Sequence, residues 1–250
     1  MLLSERIIKS PNLPENSVSV MAVSFDAPET IKRLNLLNIK VISVFSDNRL
    51  PENYNSHPDL QLFHYGQSVL YLINSKTAGE LREKFNVNII KDKICNKYPN
   101  DVSTNAVRLN KLFICNEKTV SKDILEKAYK DNLKIINVNQ GYTKCSICVV
   151  DENSIITDDE SIYNSTQNFL NDVLLVSKGS IRLKGTNYGF IGGCTGKIDK
   201  NTIAFNGRID SHSDYNKIID FVYKHNCKCI ELVNERLTDI GSMIPLAEYF

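Results

Sequence analysis

The sequence predicts an α/β fold: five ββαβ units set round an axis as the blades of a propeller, closed by the N- and C-terminal segments. Two observations carry this. An apolar strand, a second strand, an amphipathic helix and a β-branched closing strand recur along the 250 residues, and polar anchors at the unit openings, His57, Asn105, Cys145, Cys194 and Asp239, stand 48, 40, 49 and 45 residues apart. A period in that range marks stacked or radial supersecondary units rather than one α/β sheet. The C-terminal unit, moreover, lacks its last elements, and elements of that kind stand unclaimed near the N-terminus.

The units cover approximately 55–95, 100–138, 141–178, 186–233, and 237–250 joined to 17–48, within a single domain spanning 1–250. Unit one opens at His57-Pro58-Asp59, runs through Val69 to Ile73, and predicts a helix from Thr77 with Ala78, Leu81 and Phe85 on one face. Unit two has a strand at Leu112 to Ile114, a helix capped by Ser121 with Ile124, Leu125 and Ala128 at helical spacing, and a closing strand from Lys134. In unit three a strand carries Cys145 and Cys148 up to an Asp151-Glu152-Asn153 turn, a helix covers about 158–170, and Val173 to Val176 closes. Unit four opens at Tyr188 to Cys194, with strands at Thr202 to Phe205 and Cys229 to Val233 flanking a helix over Tyr215 to His225. The fifth opens after Thr238 and is completed by the strand Val18 to Val23, a helix from Ala27 to Leu37 and the strand Val41 to Phe45. An N-terminal segment that completes the last unit removes end units in need of polar caps.

Composition narrows the function. The chain is 42% apolar, enough for a substantial core. Thirty basic against 29 acidic residues, without a dense Lys/Arg cluster, argue against nucleic acid as a partner. Met1 to Leu13 carries Glu5, Arg6 and Lys9 and so reads as no signal peptide, and no stretch has membrane-spanning length; a cytoplasmic protein with no membrane partner is expected. Seven cysteines read as buried or reactive thiols, not a disulfide framework.

If the openings face one axis, their polar residues become neighbours. His57 and Asp59, two apart on a strand, share a face, and a carboxylate beside an imidazole suits a general acid/base. The alternative for this pair is a structural contact at a strand end. Two cysteines at equivalent openings are candidate nucleophiles. Cys145, after the Gly141-Tyr142 turn and beside Lys144, whose charge would lower the thiol pKa, stands ahead of Cys194, which follows Gly192-Gly193. Cys145 is therefore expected to be the most reactive thiol. Asn105, Lys144, Cys194 and Asp239 are expected on the substrate side, where Asp239 could clamp a guanidinium or amine; for Asn105 and Asp239, turn and cap roles are the alternative. Gly193 to Lys197 lacks the first glycine and the hydroxyl of a phosphate loop, four clustered sulfurs fall short of a zinc site, and no dinucleotide fingerprint is present. Neither cofactor nor metal is expected.

The five-unit plan, over nearly the whole length, and the segment His57-Pro58-Asp59-Leu60-Gln61-Leu62-Phe63 resemble the pentein fold of the guanidine-modifying enzymes: arginine and agmatine deiminases, dimethylarginine hydrolases and amidinotransferases. The openings at Gly141, Tyr188 and Asp239 are similar to an uncharacterised bacterial branch of that fold. The resemblance implies a hydrolase or transferase that acts on a small guanidine, amidine or related C–N compound through His57, Asp59 and Cys145, with a small cationic or amide-containing molecule as partner. In those enzymes the cysteine lies in the last unit, and here Asp239 to Leu246 contains none. That departure keeps a second class open, a non-catalytic pentein that binds a ligand or a ribosome.

Overall fold

In the computed structural model, which describes residues 4–77 and 79–250, the chain forms a four-stranded sheet and four three-stranded sheets. The elements, in chain order, begin with β1 (Glu5–Ile7), β2 (Val18–Ser24), α1 (Pro28–Leu36) and β3 (Lys40–Val44). Next come α2 (Pro58–Gln61), β4 (Leu62–Gly66), β5 (Val69–Leu72), a 3-10 turn at Glu80–Glu83 and β6 (Asn86–Ile89). The second unit contains β7 (Val107–Leu109), β8 (Leu112–Cys115), α3 (Lys122–Lys130) and β9 (Lys134–Asn137). The third contains β10 (Ile147–Asp151), β11 (Ser154–Thr157), α4 (Glu160–Thr166) and β12 (Asp172–Leu175). The fourth contains β13 (Thr195–Asp199), β14 (Thr202–Phe205), α5 (Tyr215–Lys224) and β15 (Lys228–Glu231), and β16 (Ile244–Tyr249) ends the chain.

One pairing rule holds throughout: the first two strands of a unit are antiparallel and the third lies parallel to the second. The fifth sheet obeys it with strands from both chain ends, β16 antiparallel to β2 and β2 parallel to β3. β1, which the sequence did not announce, adds an outer strand to β16. Its three residues are too short to show a period.

Three helices end on the same device. Asn38, Asn132 and Asn226 follow α1, α3 and α5 with φ of 60°, 53° and 54°, the left-handed region that Asn tolerates. In each case the next amide reaches back to the helix, Ile39 to Leu34, Leu133 to Ala128 and Cys227 to Val222. The apolar residue after the Asn packs into the same core as the residue its amide bonds. The Asn-apolar-Lys triplets 38–40, 132–134 and 226–228 are the sequence trace of this turn.

Five apolar cores lie between neighbouring sheets. Phe63 and Tyr65 of β4 pack with Phe113 and Ile124 of the second unit, whose Leu109 and Ile114 pack with Ile147 and Ile155 of the third. Ile156 and Val150 there meet Ile203 and Phe205 of the fourth, and Ala204 meets Met21 and Leu34 of the fifth. Ala22 and Leu246 complete the set against Leu62 and Leu70 of the first.

Several local expectations are corrected. His57, Pro58 and Asp59 are not on a strand: Pro58 starts the one-turn helix α2, its ring fixing φ for a first helical position and leaving His57 extended before it. The Asp59 amide bonds Gly241 O instead of a strand neighbour. Cys145 is not on a strand either, because the amides of Lys144 and Cys145 both donate to Asn105 Oδ1 and β10 begins only at Ile147. The helix expected from Thr77 is the 3-10 turn at Glu80–Glu83, with Ala78 outside the described residues. Ser121 precedes α3, but its hydroxyl donates to Asp92 and does not cap the helix. Among the described residues no helix is long and apolar enough to cross a membrane.

Candidate functional site

The unit openings meet, and hydrogen bonds link them in order. Asn105 Nδ2 and Thr104 Oγ1 donate to Asp59 O at 3.2 and 3.0 Å. Asn105 Oδ1 holds the backbone of Lys144 and Cys145, and Cys145 O accepts from Gly193 N at 2.8 Å. Gly193 O accepts from Ile240 and Ser242, and Gly241 O accepts from Asp59 N at 3.1 Å, which returns to the first opening. Glycine is required at two of these contacts. A Cβ on Gly193 would fall 2.0 Å from Asp239 Oδ1, and one on Gly241, whose φ is +76°, would fall 2.2 Å from His57 Cβ.

Inside this junction the Cys145 thiol donates to Asp59 Oδ2 at 3.1 Å and accepts from Asn105 Nδ2 at 3.2 Å. Ser242 Oγ contacts the same Asp59 oxygen at 2.8 Å and receives a hydrogen bond from Lys144 Nζ at 3.0 Å. Asp59 Oδ1 is buried without a partner among the described residues. His57 Nδ1 stands 3.7 Å from Asp239 Oδ1, and both Asp239 oxygens accept backbone amides, from Gly241 and Phe190.

Burial dominates the electrostatics. It pushes the His57 imidazole down to about 4, against the pull of Asp59, so the ring is neutral near pH 7. It raises Asp239 to about 6 in spite of its two amide donors and Lys144, and raises Asp59 against the pull of His57. The Lys144 ammonium is itself pushed down by burial. Burial, followed by the charges of Asp59 and Asp239, drives the Cys145 thiol well above its usual value. Against the expected lowering by Lys144, whose Nζ hydrogen-bonds Ser242, burial first and then the charges of Asp59 and Asp239 raise the thiol.

His57, Cys145 and Asp239 line a cavity of about 270 Å³, with Tyr54, Tyr142 and Phe190 among its walls. Tyr142 stacks on Phe190 at 5.8 Å between centroids and meets Tyr54 edge-on at 6.4 Å. Tyr142 is fixed there by donating to Asp101 Oδ2 at 2.5 Å.

Of the residues singled out from the sequence, His57, Asp59, Asn105, Cys145 and Asp239 thus come together, with Lys144 joined through Ser242. Cys194 is not among the residues lining that cavity: its thiol donates to Ile191 O at 3.2 Å in the core shared by the third and fourth units, raised by burial and then by the charge of Asp239. Ser242 was missed, although it stands in the opening Gly241-Ser242-Met243. So was Asp158, buried after β11, where it accepts Ile191 N and is raised by burial to about 7. Of the aromatic walls, Tyr142 and Phe190 lie in unit openings, and Tyr54 ends a 3-10 turn at Glu52–Tyr54 that the sequence did not announce. Among the described residues no three His, Cys, Asp or Glu side chains are grouped to hold a metal ion.

The model of a family of unknown function, DUF6873, matches residues 22–244. A comparison by sequence with curated proteins found no match. Among solved structures the chain is similar to SxtG, an amidinotransferase from Microseira wollei in the saxitoxin biosynthetic pathway, with TM-score 0.60 and 8% identity over 96% of this chain and 97% of that one. It is similar to the inosamine-phosphate amidinotransferase of Streptomyces griseus, with TM-score 0.58 and 10% identity over 96% and 97%. DDAH from Pseudomonas aeruginosa complexed with citrulline gives TM-score 0.56 and 9% identity over 94% of this chain and 100% of that one. These likenesses place the chain in the pentein fold.

Proposed function

The chain belongs to the DUF6873 family, and from its cavity we propose a hydrolase or transferase that acts on a small guanidine, amidine or related C–N compound. The observation that carries the reading is that His57, Cys145 and Asp239, from three different units, line one cavity. The names of the solved neighbours, amidinotransferases and DDAH, point to the same chemistry. Asp239 would receive the substrate cation, with Tyr142 and Phe190 against its flat face. No Arg or Lys is among the described lining residues, which favours a cation without an acidic tail.

In the proposed reaction Cys145 passes its proton to Asp59, a carboxylate made more basic by burial, as sulfur bonds to the amidino carbon. The C=N electron pair moves to nitrogen and returns as the C–N bond to the leaving amine breaks and the amine takes the proton that Asp59 received. Neutral His57 then removes a proton from water or an acceptor amine attacking the same carbon, the C–S bond breaks, and sulfur takes that proton back from His57. Ser242 and Lys144 orient Asp59.

We read the five sheets as blades of one propeller-like domain, closed where β16 meets β2, in a cytoplasmic protein; the return of the core sequence from fifth to first sheet supports the closure. A second reading, a pentein that binds its ligand without turning it over, is favoured by the raised Cys145 thiol and the cysteine-free last unit. The test is ammonia or amine release from methylguanidine, agmatine, arginine and acetamidine, with isothermal calorimetry in parallel. Turnover lost in Cys145→Ala supports the enzyme. Binding without turnover, unchanged in Cys145→Ala, overturns it in favour of the binding protein.

A further inference from the structure

A second group of reactive side chains lies away from this cavity. Lys197, the third residue of β13, is 3% exposed although it carries an amine. Among the described residues no carboxylate lies within ion-pair distance of it; Asp151, on the same cavity wall, is taken by His225 at 3.1 Å. The ammonium donates instead to the carbonyl of Val150 and to the thiol of Cys227, with Nζ to Sγ at 3.7 Å. Cys227, 4% exposed, is held there by the turn after α5, and its own thiol points to the same Val150 carbonyl at 3.6 Å. A buried amine with only a carbonyl and a thiol as partners is an expensive arrangement for a structural role, since an apolar residue would fill the space without the desolvation.

Both residues form the inner wall of a cleft of about 570 Å³ whose rim is the exposed Glu15, Asn110, Lys200 and Asn201. A reagent the size of water can therefore reach the pair.

We propose that Lys197 and Cys227 are the two ends of an oxidative covalent crosslink, a nitrogen–oxygen–sulfur bridge that ties β13 to the start of β15 across β14. The oxidant is hydrogen peroxide. One neutral amine, one thiol and two peroxide molecules give the bridge and three waters. Sulfur loses its S–H and nitrogen one N–H, each atom gives up two electrons, the two peroxides accept the four, and one peroxide oxygen stays between nitrogen and sulfur. The present contact leaves room for one inserted oxygen, whereas a direct S–N bond demands a closer approach. The bridge joins outer strands already held in register by Lys197 opposite Ile203 and Ile203 opposite Cys229, so it stiffens the fourth sheet without rearranging it. Dithiothreitol should reverse it, since sulfur in the bridge is at the level of a sulfenic acid.

The test uses the full chain treated with hydrogen peroxide, digested without reduction, and mapped by mass spectrometry. The expected product joins the peptide of Lys197 to that of Cys227 with one oxygen gained and two hydrogens lost, disappears with dithiothreitol, and raises the Tm of the oxidised protein reversibly. Lys197→Arg, which keeps the charge but not the amine, and Cys227→Ser should each abolish it. A Cys227 recovered as free thiol, as a sulfinic acid, as a direct S–N link, or as a disulfide with Cys148 or Cys229 overturns the proposal. The wild-type digest alone decides, so a variant that fails to fold does not shield the idea.

Discussion

The Cys145 thiol donates to the carboxylate of Asp59 across 3.1 Å, while the neighbouring Lys144 Nζ turns to Ser242. Burial and the two nearby carboxylates hold the thiol protonated near neutral pH. Alkylation by iodoacetamide should therefore reach Cys145 later than the half-buried Cys95 at pH 7 and rise only in the alkaline range. Asp59→Asn removes one of the opposing charges and should bring the alkylation midpoint of Cys145 to a pH lower by about 1 or more. A midpoint that stays in place or moves up would show that burial alone governs the thiol.

Asp158 supplies a stability signature near neutrality. Its carboxyl titrates at about 7 in the folded chain against 3.8 as its ordinary value, with burial the largest cause. A folded value above the unfolded one means that the contribution is fully present below about 3.8 and is lost as pH rises through about 7. Urea denaturation of wild type and Asp158→Asn should show the wild type gaining on the variant by a few kcal/mol as pH falls from 8 to 5, because each tenfold difference in proton affinity between folded and unfolded chain contributes about 1.4 kcal/mol. His57 titrates in the opposite sense but is common to both proteins. A stability difference independent of pH would mean that Asp158 is ionised throughout.

The period of polar anchors made the five units legible, because each anchor begins a segment that hydrogen-bonds the next. Strands inside units, such as Thr202–Phe205, were legible from β-branched and apolar runs. What was not legible is the geometry of the openings. Asn105 intercepts two amides with its side chain, and Pro58 turns the chain into α2, so Cys145 and the His57–Asp59 pair left the strands that alternation suggested. Lys144 is a related case. Sequence adjacency suggested that its charge would lower the Cys145 thiol, but its long side chain also reaches Ser242, 98 residues away in the chain, and burial outweighs that charge.

Gly241 and Gly179 separate backbone strain from collision. Both have positive φ, +76° and +95°, but a Cβ on Gly179 meets nothing within 4 Å while one on Gly241 runs into His57. Gly179→Ala should cost about 1 kcal/mol through conformation alone. Gly241→Ala adds overpacking and should cost about 2–4 kcal/mol. It should also displace His57 and weaken ligand binding in the cavity, which Gly179→Ala leaves intact. Equal Tm values for the two variants would contradict the packing seen at His57.

Glu248 ties the two chain ends together. It is 2% exposed, accepts Arg6 Nε at 2.8 Å, and with its other oxygen accepts the amides of Glu15 and Asn16 at 2.6 and 2.9 Å. Glu248→Ala leaves both amides without their acceptor, a loss of about 2–3 kcal/mol. Glu248→Gln keeps one carbonyl oxygen for them and should lose less. The loss should be local, because the hydrogen bonds that Glu248 accepts come only from Arg6, Glu15 and Asn16 near the N-terminal end. Hydrogen exchange gives the distinction: the amide of Ile8, bonded to Leu246 O at 3.1 Å, should exchange faster in Glu248→Ala, while amides of β11 such as Ile156 keep their protection. Acceleration at β11 equal to that at Ile8 would mean that the chain ends are docked as part of one global unfolding unit and that Glu248 is no separate latch.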